Sequence, residues 1–162
     1  MTESFQRRTM PFGELIRETT ALFRDSNKIR RAMRNEELSP AFRERLMLAV
    51  TAVNRCRYCS YAHSKTALTA GLSPEEVAEL CGGVYDSCPQ EEIPALLFAE
   101  HWAEQDGNPD EDVRQKVSAK YGETLLQDIE VVLRMIRMGN MYGNAWDRFL
   151  HVISFGRWGG CD

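Results

Sequence analysis

Apolar residues recur every three or four positions along most of this 162-residue chain, which is the spacing of one face of an α-helix. No stretch shows the strict alternation of a half-buried strand, and no Asn-Gly pair marks a hairpin. The pattern therefore predicts an all-α fold. Eight helices are expected, at about Phe12–Phe23, Asn27–Arg34, Pro40–Val53, Cys56–Gly71, Pro74–Gly82, Pro89 or Pro94 to Asp106, Asp110–Tyr121 and Thr124–Val152.

Ser-Pro pairs mark the start of two of these helices. Ser39-Pro40 and Ser73-Pro74 each offer a side-chain cap followed by a residue suited to the first helical position. Glu76, three residues after the second serine, completes the pattern of a capping box. Ser26 is a candidate cap of the second helix.

The last predicted helix is the longest, and we expect one of its faces to be buried. That face consists of Leu125, Ile129, Val132, Ile136, Gly139, Gly143, Trp146, Phe149 and Leu150. Gly139 and Gly143 each cost about 1 kcal/mol relative to alanine in a helix interior. They indicate either close approach of another helix, as at a subunit contact, or simple tolerance in a packed helix.

No internal repeat, low-complexity tract or long linker divides the chain. Its length suits one domain, and a chain of this size can bury most of the surface that it exposes when unfolded. We therefore expect a single compact multi-helix domain over residues 1–162, with residues 1–10 and 156–162 as flexible tails.

Charge and hydropathy exclude several classes of function. The net charge of −4 gives no general attraction to nucleic acid or anionic membranes, and the basic cluster Asn27–Arg34 is interpreted as a solvated helix face. The longest apolar stretches, near Leu46–Val53 and Ala95–Ala99, are too short to span a bilayer. Since Met1–Arg8 is polar and unlike a signal peptide, we expect a cytoplasmic protein with neither nucleic-acid nor membrane partners.

The segment Cys56-Arg57-Tyr58-Cys59, followed by His63, is the strongest chemical signal in the chain. On a helix, these two thiols and the imidazole share one side. Cytosolic thiols are kept reduced and five cysteines cannot all pair, so the Cys-x-x-Cys is interpreted as catalytic or metal-binding. A thiolate, a partner thiol and an imidazole are the components of a dithiol redox site.

The spacing supports two opposite assignments of the nucleophile. Cys56 lies nearest the N-terminal end of its helix, where unsatisfied N–H groups and the helix dipole favour a thiolate. Cys59 lies one turn from His63, so an imidazole base would activate Cys59 instead. A carboxylate that orients His63 would favour Cys59.

Glu44, eleven intervening residues, Cys56-x-x-Cys59 and then His63 form a longer motif. It resembles the AhpD-like alkylhydroperoxidase group of the carboxymuconolactone decarboxylase family, over about Pro40–Leu80. The flanking runs resemble that group too, at Glu44–Val50, His63–Ser73 and Glu75–Val77. The resemblance implies helices packed around the Cys-x-x-Cys helix and a homo-oligomer, either a trimer or a hexamer.

The same resemblance implies a thiol-dependent peroxidase. Cys59 would attack an organic hydroperoxide or hydrogen peroxide and pass through a sulfenic acid, which Cys56 would resolve as a disulfide while serving as proton donor. His63 and Glu44 would form the proton relay. No tightly bound cofactor is implied, only an external dithiol reductant of the lipoyl or thioredoxin type, with a redox partner protein as a further option. Tyr58 departs from the group, because well-studied peroxidase members often have histidine there.

Other interpretations remain open. The chain could be a dithiol–disulfide oxidoreductase that passes electrons to a partner protein. It could be a non-catalytic metal-binding helical module, which would need a fourth ligand from Cys81, Cys88 or His101. The decarboxylase branch of the same superfamily does not use the cysteine pair, so the presence of both cysteines argues against it.

The remaining cysteines are interpreted as packing or incidental residues. Cys81 and Cys88 flank a glycine-rich turn and are expected to be small packing residues. Cys161 lies in the predicted tail and is interpreted as incidental, with a mixed disulfide to Cys59 as a lesser hypothesis. His101 is expected to be a partly buried histidine with a partner.

Overall fold

The computed structural model describes residue 5 and residues 7–159, and this part of the chain contains eight α-helices and no strand. The helices are α1 (Phe12–Arg24), α2 (Ser26–Arg34), α3 (Pro40–Asn54), α4 (Arg57–Thr69), α5 (Pro74–Cys81), α6 (Ile93–Glu104), α7 (Glu111–Tyr121) and α8 (Glu123–Ile153). The predicted all-α fold class is confirmed, and the observed bounds lie close to the expected ones.

Side-chain caps begin three of the helices. Ser39 Oγ accepts from the Phe42 N–H at 3.1 Å, and Ser73 Oγ accepts from the Glu76 N–H at the same distance. Cys56 occupies the corresponding position before α4. The prediction for Ser26 is wrong: it is the first residue of α2 and makes no capping hydrogen bond, because α1 and α2 join at the single residue before it.

The central helix is α3, which packs against α4, α5, α6 and α8. Its residues Leu46–Thr51 are buried consecutively, so all sides of the helix are covered and not only one stripe. This burial extends to Glu44, a carboxylate that the apolar spacing placed away from the centre of the stripe. A buried polar group needs a hydrogen-bonding partner, and Glu44 has its partner on the neighbouring helix α4.

The long helix α8 changes its buried face along its length. As expected, Leu125, Ile129, Val132 and Ile136 are buried against the core. Beyond them the predicted apolar face turns outward, and Trp146 and Phe149 are 54% and 51% exposed. Polar residues are buried there instead, at Asn140, Asn144 and Asp147, alongside the apolar Met138 and Met141. The exposed side chains of Trp146 and Phe149 stack on each other, with ring centroids 5.5 Å apart.

The segment before α1 packs on α8. Met10 is buried in a small cluster with Leu15, Met138 and Met141, and the guanidinium of Arg7 is buried against α8. Both residues fall within the stretch 1–10 that the sequence predicts as a tail.

Among the helices that the structure describes, none combines the length and apolar character required to cross a membrane.

Candidate redox site

Cys56 and Cys59 are free thiols in direct contact at the turn between α3 and α4. The chain leaves α3 through Arg55 in the left-handed region (φ 55°), which directs Cys56 to the cap position of α4. The two Sγ atoms are 2.8 Å apart, and Cys56 Sγ also accepts from the Cys59 N–H at 3.4 Å. Cys56 is only 1% exposed, whereas Cys59 is half-buried.

Two glycines of α8 make room for this pair. A Cβ atom on Gly143 would lie 2.6 Å from Cys56 Sγ, and one on Gly139 would lie 3.8 Å from Cys59 Sγ. Both glycines therefore mark the close approach of α8 to the dithiol, which is a more specific role than either of the two that the sequence suggested.

The hydrogen bond with Cys59 lowers the pKa of the Cys56 thiol to about 6, against the opposing effect of burial. The N–H groups of Cys59 and Tyr58 and the positive charge of Arg7 lower this pKa further. The same hydrogen bond, followed by burial, raises the pKa of Cys59, and the Asn140 side chain offsets part of that rise. In the resting dithiol, Cys56 is therefore the thiol that carries the negative charge. Its position at the N-terminal end of a helix indicates the same.

His63 is held by a carboxylate from the neighbouring helix. Its Nδ1 lies 2.8 Å from Oε2 of Glu44, with both side chains largely shielded from solvent. A neutral imidazole that donates from Nδ1 to Glu44 keeps the Nε2 lone pair available to accept a proton. Arg45, the next residue in the chain, pairs with Glu76 and Glu92 instead of with Glu44.

Asp147 anchors the first turn of α4 to α8, a feature that the sequence analysis missed. Its fully buried carboxylate accepts from Arg57 Nη2 and from the Tyr58 hydroxyl, each at 2.8 Å, and it pairs with Arg7. Tyr58 is thus held through its hydroxyl by Asp147.

Together with Asp147, buried asparagines form a line of polar residues between α3 and α8, here called the polar seam. Asn140 accepts from Asn54 Nδ2 at 3.0 Å and donates to Thr51 Oγ1 at 3.1 Å. Asn144 donates to the Asn54 carbonyl at 2.7 Å. The spacing of Asn140, Asn144 and Asp147 is that of one helical face, and this run of polar residues was the signal in the sequence that could have revealed the seam.

The other cysteines differ in their surroundings. Cys88 is buried, as expected, and burial raises its pKa to about 11. Cys81 is exposed, contrary to the expectation of a packing residue, and its Sγ lies 3.5 Å from the hydroxyls of Ser60 and Ser64. Cys161 lies outside the described residues.

The alternative of a metal centre finds no ligand set in residues 5 and 7–159, where no three His, Cys, Asp or Glu side chains are placed to hold an ion. Of the candidate fourth ligands, Cys88 is buried and His101 has a partner in Asp110, with 3.3 Å between Nε2 and Oδ2.

Comparison with protein families gives a match to the model described as the carboxymuconolactone decarboxylase family, over residues 20–105. This match covers more than half of the 162 residues and includes all four members of the Glu44–Cys56–Cys59–His63 motif. Searches of curated proteins and of solved structures gave no match. The chain therefore belongs to the carboxymuconolactone decarboxylase family, which includes AhpD-like proteins.

Proposed function

We propose that this protein is a thiol-dependent peroxidase that cycles between a Cys56–Cys59 dithiol and its disulfide. The observation that carries the proposal is the 2.8 Å contact between the two sulfurs on the helix that also bears His63, which is paired with Glu44. A disulfide bond is about 2.05 Å long, so only a small movement of two side chains separates the reduced and oxidised forms.

The reaction proceeds in two steps on the enzyme. A thiolate on Cys59 attacks one peroxide oxygen, the O–O bond breaks, and the departing oxygen takes a proton to leave as alcohol or water. The Cys56 sulfur then displaces hydroxide from the Cys59 sulfenic acid, which leaves as water and yields the disulfide. The enzyme is thereby oxidised by two electrons, and the peroxide is reduced by two.

We assign the peroxidatic role to Cys59 because it is the more exposed sulfur and lies one turn from His63. The resting charge on Cys56 is compatible with this assignment, since one proton is shared across the 2.8 Å contact. Its transfer from Cys59 to Cys56 creates the attacking thiolate and, at the same time, the thiol that protonates the departing oxygen.

Peroxide consumption with a dithiol donor tests the proposal, in wild type, Cys56→Ser and Cys59→Ser. We expect both variants to lose turnover, and we expect a sulfenic-acid trap to label position 59 in the Cys56→Ser protein alone. Cys88→Ala is the matched control, because Cys88 is a buried cysteine that packs near Arg45 and Glu76, and it should retain turnover.

Sulfenic acid found at position 56 in Cys59→Ser, with none in Cys56→Ser, would reverse the roles of the two sulfurs. Full peroxide turnover in either single variant would remove the dithiol mechanism altogether.

A second candidate is a dithiol–disulfide oxidoreductase that exchanges electrons with a partner protein. It is favoured by Tyr58, which supplies a phenol bound to Asp147 in place of an imidazole beside Cys59. Disulfide exchange with a thioredoxin-type or lipoyl-type dithiol, in a protein that leaves peroxide unconsumed, would select this candidate.

We further propose that the protein forms a homo-oligomer through the end of α8. Large apolar side chains are exposed there in successive turns, at Tyr142, Trp146, Phe149, Val152 and Ile153. Exposed apolar patches of this kind are typical of protein interfaces.

A further inference from the structure

A cavity of about 300 Å³ opens beside the dithiol, and its lining combines two thiols, of Cys56 and Cys81, with three cations. Cys56 lines this space, here called the Cys56 cavity, together with the side chains of Arg7, Arg55 and Arg57. No carboxylate of the described chain is among its lining residues, although apolar side chains of α3 are.

The charges around the Cys56 cavity do not cancel. Arg7 and Arg57 are both held by the buried carboxylate of Asp147, which fixes their position. Arg55 has no ion-pair partner for its side chain within residues 5 and 7–159. The Arg55 guanidinium therefore adds a positive charge beside Cys56 that no carboxylate within residues 5 and 7–159 pairs with.

A second cavity, of about 620 Å³, also has Arg55 among its lining residues, but it contains carboxylates as well. It shares Arg55 and Cys81 with the Cys56 cavity, but here the charges of Arg8 and Arg55 are opposed by those of Glu100 and Glu104. Their negative charges disfavour an anion there, so an anion near Arg55 is favoured on the side of Cys56.

We propose that the Cys56 cavity binds the reductant of this protein, and that the reductant is a small thiol carrying a carboxylate. The inference rests on the proposed function only in taking the Cys56–Cys59 disulfide as the oxidised state. The cavity borders Cys56 and not Cys59, which is the sulfur assigned to the peroxide, so the two substrates approach different sulfurs.

Thiol–disulfide exchange would reduce the Cys56–Cys59 disulfide in two steps. The thiolate of the reductant attacks Cys56 Sγ, the Cys56–Cys59 bond breaks, and Cys59 leaves with the electron pair and takes up a proton. A second thiol of the reductant, on the same molecule or on another, then attacks the mixed disulfide and releases Cys56. Two thiols are oxidised to one disulfide, and the protein disulfide is reduced by two electrons. Arginine holds the carboxylate during both steps.

The test compares dihydrolipoate with dihydrolipoamide, two dithiols that differ in carrying a carboxylate or a neutral amide. The protein is first oxidised with diamide, and the rate at which Cys56 and Cys59 become reduced is followed by alkylation and mass spectrometry. In low salt we expect dihydrolipoate to react about tenfold faster, the scale of electrostatic steering into a charged cleft. This preference should collapse at about 1 M salt, where the Debye length is ~3 Å.

Arg55→Gln should bring the ratio of the two rates towards one, and Arg55→Lys should keep most of the preference. Arg30→Gln is the control, because Arg30 is an exposed arginine on α2, far along the chain from the site, and it should keep the full ratio. Equal rates for the two dithiols in wild type at low salt, or a ratio unchanged by Arg55→Gln, would overturn the proposal.

Because diamide makes the disulfide, the result does not depend on peroxide. A protein that prefers dihydrolipoate but never consumes peroxide would overturn the proposed function and leave this inference standing.

Discussion

Cys56 and Cys59 lie only three residues apart, but the pKa of the first thiol is lowered and that of the second is raised. Cys56 is the sulfur at the helix end and receives hydrogen bonds from the Cys59 side chain and from the N–H groups of Tyr58 and Cys59. A thiolate there is stabilised although its surroundings are buried. The neighbouring thiol, which supplies one of those hydrogen bonds, is correspondingly harder to ionise.

Titration of the reduced protein should reveal one thiolate with a midpoint near pH 6, measured by ultraviolet absorbance. In Cys59→Ala the largest cause of the lowered pKa is lost, so the midpoint should rise towards the ordinary thiol range of about 8 to 9. Cys88→Ala should leave the midpoint in place. Absorbance that stays flat until the ordinary thiol range is reached would contradict the assignment.

Glu44→Gln should lower kcat for peroxide by about 10²-fold, the lower end of what general acid–base catalysis contributes. The amide keeps the size of the side chain but removes the negative charge that stabilises an imidazolium at His63. We expect KM for peroxide, and the rate at which a dithiol reduces the preformed disulfide, to stay unchanged.

The matched control is Glu37→Gln, an exposed carboxylate before α3. If the two glutamine variants behaved alike, or if disulfide reduction slowed together with kcat, the effect of Glu44 would be one of general structure and not of proton transfer.

At the scale of elements, the fit between α4 and α8 depends on the absence of a side chain at Gly143. Alanine at 143 would bring a Cβ to 2.6 Å from Cys56 Sγ, closer than atoms of the core can approach without a shift of α8. Alanine at 139 would bring a Cβ to 3.8 Å from Cys59 Sγ, which is ordinary van der Waals contact.

Gly143→Ala should therefore destabilise the reduced protein by about 1 to 3 kcal/mol through overpacking, even though alanine is the better helix former. Gly139→Ala should be neutral, or stabilising by up to about 1 kcal/mol. Urea unfolding of both variants decides the matter, and an equal gain in stability at the two positions would refute the close-packing argument.

The helices and most of their ends could be predicted because the signals for them are local. Apolar spacing marks α3 and the first half of α8, and Ser39 and Ser73 mark two of the helix starts. The second half of α8 buries a different face from the predicted one, because many of its partners are polar groups of distant segments, and local spacing holds no information about them.

At the scale of the whole molecule, the end of α8 remains uncovered within a single chain. Trp146 and Phe149 stack on each other in solvent instead of entering the core. Burial of such side chains against a second copy would remove apolar surface from water at about 25 cal/mol per Å².

Light scattering during size-exclusion chromatography should give a wild-type mass that is a multiple of the chain mass. The double variant Trp146→Glu, Phe149→Glu should elute as a monomer, because two charges cannot be buried unpaired in an apolar contact. Leu97→Glu, which changes an exposed leucine on α6, serves as the control and should remain assembled. A wild type that is already monomeric would refute this proposal.

The sequence identified the members of the motif but not the groups that surround them. Cys56, Cys59 and His63 lie within one short segment, so helical geometry alone brings them to one side. Asp147 and Arg7 reach the same place from the far ends of the described chain. These residues become neighbours only because α8 packs against both α4 and the segment before α1. Neither a motif nor the apolar periodicity of the sequence indicates that packing.

Cys81, exposed between the two cavities, makes the neighbourhood of the dithiol a three-sulfur environment. A small electrophile that fits beside Cys56 therefore encounters a competing nucleophile on a different helix. Covalent probes and stoichiometric titrants will over-count the reactive pair unless they are used in a Cys81→Ser background. For the same reason, any chemical screen against this protein should determine which cysteine each compound has modified.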